Sequence, residues 1–568
     1  MLKDHPKGLI VAFFANMGER FGFYTMYAIF VLFIQAKYGF DAADTSMFWG
    51  IFLGAVYFFP LIGGFLADRF LGYGKSISLG LIILFIGYTL LAIPTSMDGG
   101  LTLIISGLAV ITIGTGLFKG NLQALVGNLY DEAKFSKNRD VAFNIFYMGI
   151  NIGAVFAPTA AEAISNWVLK SKGFFYDAAI PAMAHKLLGG DTSVTSSLTA
   201  SMDSQLQFGA SVNQTNSFDS LTAFSNSYIN AIGESYHYAF GIASISLIVS
   251  MAIFWAFRKY YRHADLTERQ KAKSAEYRDK MIELSPKETR NRFVALGMVF
   301  LVVIFFWLAF HQNSVGLNFF ARDYTVNSVG KYTNVFFNLF TLLSILFFFI
   351  GVFYAAKKGS STKARIIGAI VGLVFGGFLF YKTYTFGDTN PITPPKFHQF
   401  NSFFIVAFTP LIVAFFTWLR AKGVEPSAPK KIGLGMLITG IGLLVMVVAS
   451  VSLIGFSPKE INELRAPQDV LVSPYWLIST YFVFTIAELF LSPMGISFVS
   501  KVSPPKYKGL MQGGWFAATA IGNYALGYFA IFWSSIPLWA YWSILVVFCI
   551  LSSVFIFSVL RRLEAVSR

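Results

Sequence analysis

Apolar runs long enough to cross a lipid bilayer recur along the whole chain, and they constrain its fold more than any other feature. A transmembrane helix needs about 20 predominantly apolar residues. A mean hydropathy of +0.61 and a charged fraction of 13% exclude an ordinary soluble domain. The sequence therefore predicts an all-α, multi-pass membrane protein with fourteen spans. The predicted spans are 9–35, 46–67, 76–94, 101–127, 141–161, 236–257, 293–312, 334–355, 365–381, 399–419, 432–455, 473–500, 509–533 and 537–560.

The first span is unusual because it carries charged residues near its middle. A charge at the centre of a bilayer costs roughly 2.5–3.5 kcal/mol, so these side chains are expected to face a protein interior and to mark a transport pathway. A plainer alternative is that Glu19 and Arg20 neutralise each other in a contact between helices. Helical spacing places a set of polar and aromatic residues on one face of the span. They are Asn16, Glu19, Arg20, Phe23, Tyr24 and Tyr27.

The basic residues indicate how the chain is oriented in the membrane. Of 44 Lys and Arg residues, 32 lie on the side of the two termini, 10 on the opposite side, and 2 within spans. By the positive-inside rule both termini are expected in the cytoplasm, most simply at a bacterial inner membrane. The net charge of +15 is spread between spans, which argues against nucleic-acid binding. The single cysteine, Cys549, excludes an intramolecular disulfide and a thiolate metal site, and no cleavable signal peptide is predicted.

Two long connections divide the chain. Residues 162–235 are expected on the external side, as a flexible loop or, alternatively, a partly ordered cap. Residues 258–292 carry eleven basic residues and predict a cytoplasmic amphipathic linker. The predicted domains are thus an N-terminal bundle, 9–257, and a C-terminal bundle, 293–560.

A weak internal repeat relates the two bundles. Pro60-Leu61-Ile62 is followed by a segment that begins with Lys75 and ends with Gly80. Pro410-Leu411-Ile412 is followed by a similar segment, from Lys431 to Gly435. Parallel repeats of this kind are typical of the major-facilitator fold, with twelve core helices in two six-helix bundles. Pro410 would then belong to the eighth core helix, although it lies in the tenth span. We therefore expect the pair 334–355 and 365–381, within 334–381, to be an insertion facing lipid.

Five motifs occur in order along the helices. The motifs are Gly18-Glu19-Arg20-Phe21, the segment from Gly63 to Gly72 with Asp68-Arg69, Gly116-Leu117-Phe118-Lys119-Gly120-Asn121, the segment from Phe143 to Gly153, and Ala487-Glu488-Leu489-Phe490-Leu491-Ser492-Pro493. Taken together they resemble the proton-coupled oligopeptide transporter family of the major-facilitator superfamily, over most of residues 9–560.

The resemblance implies a role for each matching position. Proton coupling would involve Glu19, Arg20 and Lys119, with Lys119 as the partner of Glu488 across a cavity, and Asp68 with Arg69 would act in gating. Glu488 would receive the amino terminus of a peptide, because a carboxylate suits an ammonium in a low-dielectric cavity. For the aromatic and amide residues the alternative is ordinary helix packing. The substrate site would comprise Tyr24, Tyr27, Tyr57, Lys119, Tyr147, Asn151, Trp307, Asn401, Glu488, Ser492 and Trp515.

Several positions depart from the family pattern. The family's usual Glu is Asn16, its Pro is Gly120, and the Pro-type pattern near Asn401 is replaced, since Ser402 follows. The arginine that meets the peptide carboxylate in the family is Tyr27, and its acidic partner is His311. We expect a neutral contact between Tyr27 and His311 that closes the external side, with His311 carrying a proton-dependent step. Alternatively, His311 is a helix-end residue that touches external water.

The sequence thus predicts a proton-coupled symporter that imports di- and tripeptides by alternating access, without a cofactor or metal, as a monomer in the lipid bilayer. Because Tyr27 replaces the carboxylate-binding arginine, transport of another small anion or peptide-like compound is an alternative. A membrane enzyme or receptor is a more distant one, since the six histidines lack metal spacing.

Overall fold

A computed structural model describes residues 5–96, 100–131, 134–135, 138–267, 270, 284–458, 465–504 and 507–567. Within these residues, fourteen helices are long and apolar enough to cross a membrane. Each predicted span overlaps one of them, so the predicted number of spans is confirmed. Since fourteen is even, both ends of the described chain lie on one side of the bundle. We call this side the terminal face and the opposite side the distal face.

The first half of the chain contains two short helices, α6 and α7, between its spanning helices. In chain order the helices are α1 (Lys7–Tyr38), α2 (Ala42–Leu66), α3 (Tyr73–Ala92), α4 (Leu101–Asn128), α5 (Arg139–Ser171), α6 (Ile180–Leu188), α7 (Thr195–Ser211) and α8 (Leu221–Ala256).

The second half begins at α9 and includes one small antiparallel sheet on the distal face, in which Ser328 pairs with Pro391. Its elements are α9 (Pro286–Phe310), α10 (Gly316–Asp323), β1 (Ser328–Val329), α11 (Lys331–Phe337), α12 (Leu339–Ala356), α13 (Thr362–Thr385), β2 (Asn390–Pro391), α14 (His398–Ala421), α15 (Ala428–Ala449), α16 (Tyr475–Val502), α17 (Lys508–Phe529), α18 (Leu538–Ser558) and α19 (Leu560–Ser567).

Side-chain caps fix where several of these helices begin. The Asp41 carboxylate accepts from the Asp44 backbone N–H at the start of α2, and Ser220 does the same for Ala223 at the start of α8. Such caps satisfy N–H groups that have no partner within the helix. These helices therefore begin directly after a polar residue that caps the helix and precedes a long apolar run.

The two halves repeat the same helix pairings. In the first half α1 packs on α5 and α8, and α3 packs on α4 and α8; in the second half α9 packs on α17 and α18, and α15 packs on α16 and α18. The pairing of α2 with α4 is likewise matched by that of α14 with α16. Between the halves, α2 packs on α17, and α5 packs on α14. This is the parallel repeat of two six-helix bundles that the sequence predicts.

The inserted pair is a hairpin of α12 and α13. The two helices pack on each other, with Gly351 and Gly368 at the close approach. Their outer faces carry exposed apolar side chains such as Phe349, Leu373 and Phe380. A surface of this kind suits lipid, as expected for an insertion outside the core.

The expectation of a flexible loop at 162–235 is wrong. Helix α5 continues to Ser171, α8 begins at Leu221, and α6 and α7 form a folded cap between them. The Gln205 amide bonds both the N–H and the carbonyl of Phe175, at 2.9 and 3.1 Å, and Leu198 is fully buried. A few buried apolar residues and one amide thus order a segment whose overall composition is polar.

The linker is described in part. Short 3₁₀ turns at Arg258–Tyr260 and Arg262–Ala264 follow α8, and the Asp265 carboxylate accepts from the Gly74 backbone N–H at 2.8 Å. Residues 268–269 and 271–283 lie outside the described part, so the amphipathic helix and the proposed domain boundaries stay predictions.

Candidate functional site

The charged residues of α1 form an ion pair with each other. The Arg20 guanidinium donates through Nε and Nη2 to the two oxygens of Glu19, both at 2.5 Å. Their side chains are 5% and 0% exposed. The Arg20 guanidinium also lies 4.7 Å from the ring centroid of Phe23. This geometry agrees with the alternative interpretation, in which Glu19 and Arg20 neutralise each other.

Lys119 lies on α4 with its ammonium 3.9 Å from the ring centroid of Tyr57 and 5.8 Å from that of Phe516. Tyr57 belongs to the first half of the chain and Phe516 to the second. Among the described residues, Lys119 forms no ion pair within 4.0 Å, so the expected pairing with Glu488 is wrong for this conformation. The aromatic faces hold the cation and leave it available to an anion.

Glu488 on α16 is the buried acid between the two halves. One oxygen accepts from the Tyr147 hydroxyl of α5 at 3.1 Å, and the other accepts from the Asn401 amide of α14 at 3.1 Å. Asn401 also donates to the Thr485 hydroxyl at 3.2 Å. Two neutral donors orient the carboxylate, and no cation lies within 4.0 Å of it among the described residues. The arrangement presents a carboxyl group without a cationic partner where the halves meet, which suits a ligand that carries an ammonium group.

The remaining predicted site residues surround this centre on both halves. The Tyr24 ring packs against Tyr27, with centroids 5.8 Å apart, and the Asn151 amide donates to the Tyr147 carbonyl at 3.0 Å. Trp515 is 5% exposed and packs against Gly495. The Nε1 atom of Trp307 and the hydroxyl oxygen of Ser492 are buried without a hydrogen-bond partner. Two of these polar groups thus retain unused hydrogen-bonding capacity.

The expected contact between Tyr27 and His311 is not formed. The Tyr27 hydroxyl donates to the Asn313 side-chain oxygen at 2.6 Å. His311 instead bonds Asn523 through Nδ1 and stacks on Trp307 with ring centroids 4.7 Å apart. Helix α9 ends at Phe310, and a 3₁₀ turn from His311 to Ser314 carries the chain past Tyr27. His311 directly follows the end of α9, but it is only 5% exposed. The alternative, in which His311 touches external water, is therefore wrong as well.

The turn His311–Ser314 connects the halves on the distal side. The Trp49 indole N–H of α2 donates to the Ser314 hydroxyl at 3.0 Å, beside the bond from Tyr27 to Asn313. Further along the same face, the Gln35 amide oxygen of α1 accepts from Arg322 of α10. Tyr27 therefore takes part in a distal connection, but its partner is the neutral amide of Asn313, and Arg322 adds a charged donor further along the same face.

A second distal connection joins α5 to the start of α14. The Glu162 carboxylate accepts from the Thr393 hydroxyl at 2.7 Å and lies 3.3 Å from the Lys396 ammonium. The Thr159 hydroxyl donates to the Gln399 amide oxygen at 3.3 Å. Among the described residues, the hydrogen bonds between halves run from the level of Glu488 to the distal face. The conformation is therefore closed on the distal side.

The Gly63 to Gly72 segment turns the chain at the terminal face. A Cβ atom on Gly63 would lie 2.0 Å from the Gly116 carbonyl oxygen, so α2 and α4 can approach only with glycine there. Gly72 has φ +81°, which favours glycine. Asp68 accepts from the Tyr73 hydroxyl at 2.8 Å, whereas Arg69 is exposed between Phe65 and Phe70. The structural part of the motif is thus explained, and its gating role stays a prediction.

The equivalent turn of the second half holds an ion-pair network that the sequence did not reveal. Glu425 lies 2.6 Å from Arg420 and 2.6 Å from Lys431, and Lys431 packs over the Phe416 ring at 3.9 Å. The Arg420 guanidinium and the Lys431 ammonium lower the pKa of Glu425 to about 2. Opposite charges favour the ionised carboxylate.

The described side chains were also compared with the ligand groups that a metal site requires. Among the described residues, no group of three His, Cys, Asp or Glu side chains is placed to hold a metal ion. Cys549 is buried as a free thiol. That the protein needs no cofactor stays a prediction.

Comparison with known proteins identifies the family of this membrane protein. The POT family matches residues 75–275 and 383–541. The chain belongs to the POT family. Among its relatives are the peptide transporter YePEPT of Yersinia enterocolitica subsp. palearctica, 26% identical over 92% of this chain and 87% of that one, and a di-/tripeptide transporter of Lactococcus lactis subsp. cremoris, 24% identical over 90% and 86%.

Solved structures of POT proteins share its fold. A crystal structure of a peptide transporter POT in complex with sulfate has a TM-score of 0.64 at 21% identity and covers 99% of this chain and 96% of that one. A POT family transporter in complex with a thioalcohol-conjugated peptide has a TM-score of 0.65 at 18% identity, over 98% and 97%. The major-facilitator fold is therefore confirmed, and the family is one of transporters.

Proposed function

We propose that this POT family member is a proton-coupled symporter that imports di- and tripeptides by alternating access. The observation that carries the proposal is Glu488, a buried carboxylate oriented by Tyr147 of one half and Asn401 of the other. It offers a partner to the ammonium of a peptide. Its relatives in Yersinia enterocolitica and Lactococcus lactis are a peptide transporter and a di-/tripeptide transporter, which supports the same substrate class.

Lys119 is the proposed partner for the peptide carboxylate. Its ammonium lies over Tyr57 and is not neutralised by an acid within 4.0 Å among the described residues. Tyr27, at the position of the family's arginine, donates its hydroxyl to Asn313 instead. A peptide held between Glu488 and Lys119 would therefore span the two halves, because these residues lie on α16 and α4. Aromatic and amide side chains around it would set side-chain preference.

Proton coupling is proposed for the ionisable groups that lie within the spans. Glu19 and Arg20 would exchange partners with Lys119 when a proton or a peptide carboxylate arrives, and Glu488 would alternate between the peptide ammonium and a proton. His311, which faces Tyr57 at 6.0 Å between ring centroids, is the proposed additional proton site.

We further propose a bacterial inner membrane location with both termini in the cytoplasm, and function as a monomer. The excess of basic residues at the terminal face supports the orientation. A related protein, PepTSo2, was crystallised as a tetramer, which is a property of that protein.

Uptake into proteoliposomes tests the function. With an inward proton gradient, labelled dipeptide should accumulate above its external concentration, and dissipating the gradient should abolish accumulation. Glu488→Gln should lower uptake more than tenfold, while Glu288→Gln, the same change at an exposed site, should not. Competition by nitrate or free amino acids, but not by dipeptides, would instead support the alternative substrates.

A further inference from the structure

A second buried histidine, His398, lies at the distal closure. It is the first residue of α14, directly after the 3₁₀ turn Pro394–Phe397, and it is 8% exposed. Its Nε2 atom is buried and has no hydrogen-bond partner in the described part of the chain. A buried polar atom without a partner costs about 1–3 kcal/mol, so it calls for an explanation.

His398 supplies the imidazole that faces Tyr27. The two ring centroids are 5.6 Å apart with an interplanar angle of 81°, and the ring of Tyr481 lies 6.5 Å from His398. The hydroxyls of both tyrosines end on Asn313, Tyr27 at its side-chain oxygen and Tyr481 at its carbonyl at 3.2 Å. We call Tyr27, Asn313, His398 and Tyr481 the gate cluster. It joins α1 of the first half to three elements of the second.

The gate cluster cannot accommodate a charged imidazole in this conformation. A protonated histidine donates from both ring nitrogens, but Nε2 has no acceptor within hydrogen-bonding distance among the described residues. The start of a helix also carries a partial positive charge that opposes a cation. Both effects favour neutral His398 while the distal side is closed.

The charged and titratable groups nearby do not compensate for a charge on His398. The Glu162 carboxylate is engaged by Lys396 and Thr393, so it is not free to pair with a charged His398. The groups on the elements packed around His398 are Tyr27 on α1, Glu162 on α5, His311 on the turn after α9, Arg322 and Asp323 paired on α10, Tyr481 and the deeper Glu488 on α16, and Lys396 on its own segment.

We propose that His398 is a proton-binding residue of the distal gate, and that binding a proton from the distal side releases the gate cluster. A ligand shifts a conformational equilibrium by its difference in affinity for the two states. A proton binds poorly to His398 when the cluster is closed and binds well once water reaches Nε2 in the open state. The inference rests on the proposed function, because it supplies the distal proton step that an importer needs.

Distance measurements across the gate test the proposal. Spin labels at Asn166→Cys on α5 and Asn327→Cys before β1, both exposed positions, would be placed in a Cys549→Ala background in lipid nanodiscs. Between pH 8 and pH 5 the population of longer, distal-open distances should rise several-fold. His398→Gln and His398→Phe, which stay neutral, should abolish that rise, and His263→Gln, an exposed histidine of the linker, should retain it.

Three further measurements test the proposal. Tyr27→Phe keeps His398 but removes a bond of the gate cluster, so the pH midpoint of opening should move upward; an unchanged midpoint overturns the proposal. A pH response lost in His311→Gln and kept in both His398 variants overturns it as well. Counterflow of labelled dipeptide at equal pH on both sides should persist in His398→Gln. Loss of counterflow in the unmodified protein would instead refute peptide transport itself.

Discussion

The Glu19–Arg20 ion pair makes the sharpest energetic prediction about this protein. Both side chains are buried, and two hydrogen bonds of 2.5 Å join them. Removing one partner leaves an uncompensated buried charge, which costs about 3–5 kcal/mol, whereas removing both is nearly neutral. Unfolding entropy of about 2.1 cal/mol/K per residue amounts to about 1.2 kcal/mol/K for 568 residues, so we expect Glu19→Gln and Arg20→Gln to lower the Tm by roughly 3–4 °C each. The double variant should return close to the Tm of the unmodified protein.

The assay combines unfolding with transport. Tryptophan fluorescence in detergent gives the Tm of the four proteins, and the double-mutant cycle should yield a coupling energy of about 6 kcal/mol or more, the sum of the two single costs. Concentrative uptake driven by a proton gradient should be lost in Glu19→Gln and should not return in the double variant, because coupling needs the titratable acid. If Glu19→Gln keeps both its Tm and full concentrative uptake, the buried pair and its coupling role are both refuted. If the double variant regains uptake, the pair is structural.

Three further predictions concern single residues. Lys119→Ala should lower uptake more than tenfold with expression retained, and normal uptake would contradict its role in carboxylate binding. Tyr27→Phe leaves the Asn313 oxygen without its donor, which should cost the closed state about 1–2 kcal/mol and raise the ratio of open to closed distal distances, measured between spin labels at Asn166→Cys and Asn327→Cys, about 5- to 30-fold; an unchanged ratio would contradict the observed bond. Glu425→Gln should cost about 1 kcal/mol at pH 7. Since the pKa of Glu425 is lowered to about 2, its stabilisation is present above pH 4.5 and fades as the pH falls toward 2, so the Tm difference should vanish there.

Much of the fold followed from local properties of the chain. Span number depends on the length of apolar runs, which is set by the bilayer thickness. The similar segments that begin at Pro60 and Pro410 predicted the repeat, and they predicted the inserted hairpin because Pro410 lies in the tenth span where the repeat requires the eighth core helix. Glu488 was identifiable as a site residue since a carboxylate within a span demands a partner. In the structure that partner is a pair of neutral donors, Tyr147 and Asn401.

Other features depended on residues far apart in sequence. The partner of Tyr27 could not be predicted from helical register, because α9 ends at Phe310 and a 3₁₀ turn brings Asn313 to the position expected for His311. The order of the cap likewise depends on a buried amide, Gln205, that composition does not reveal.

The sequence by itself determined the membrane environment, the number of spans, the repeat and the ionisable residues available for transport, because each of these follows from hydrophobicity, spacing or residue type along the chain. The tertiary structure decided which of those residues meet. Lys119 faces Tyr57 instead of Glu488, and the imidazole beside Tyr27 belongs to His398. The physical reason is that such contacts depend on how helices end, tilt and pack between the two halves, and displacements of a few ångströms exchange one partner for another.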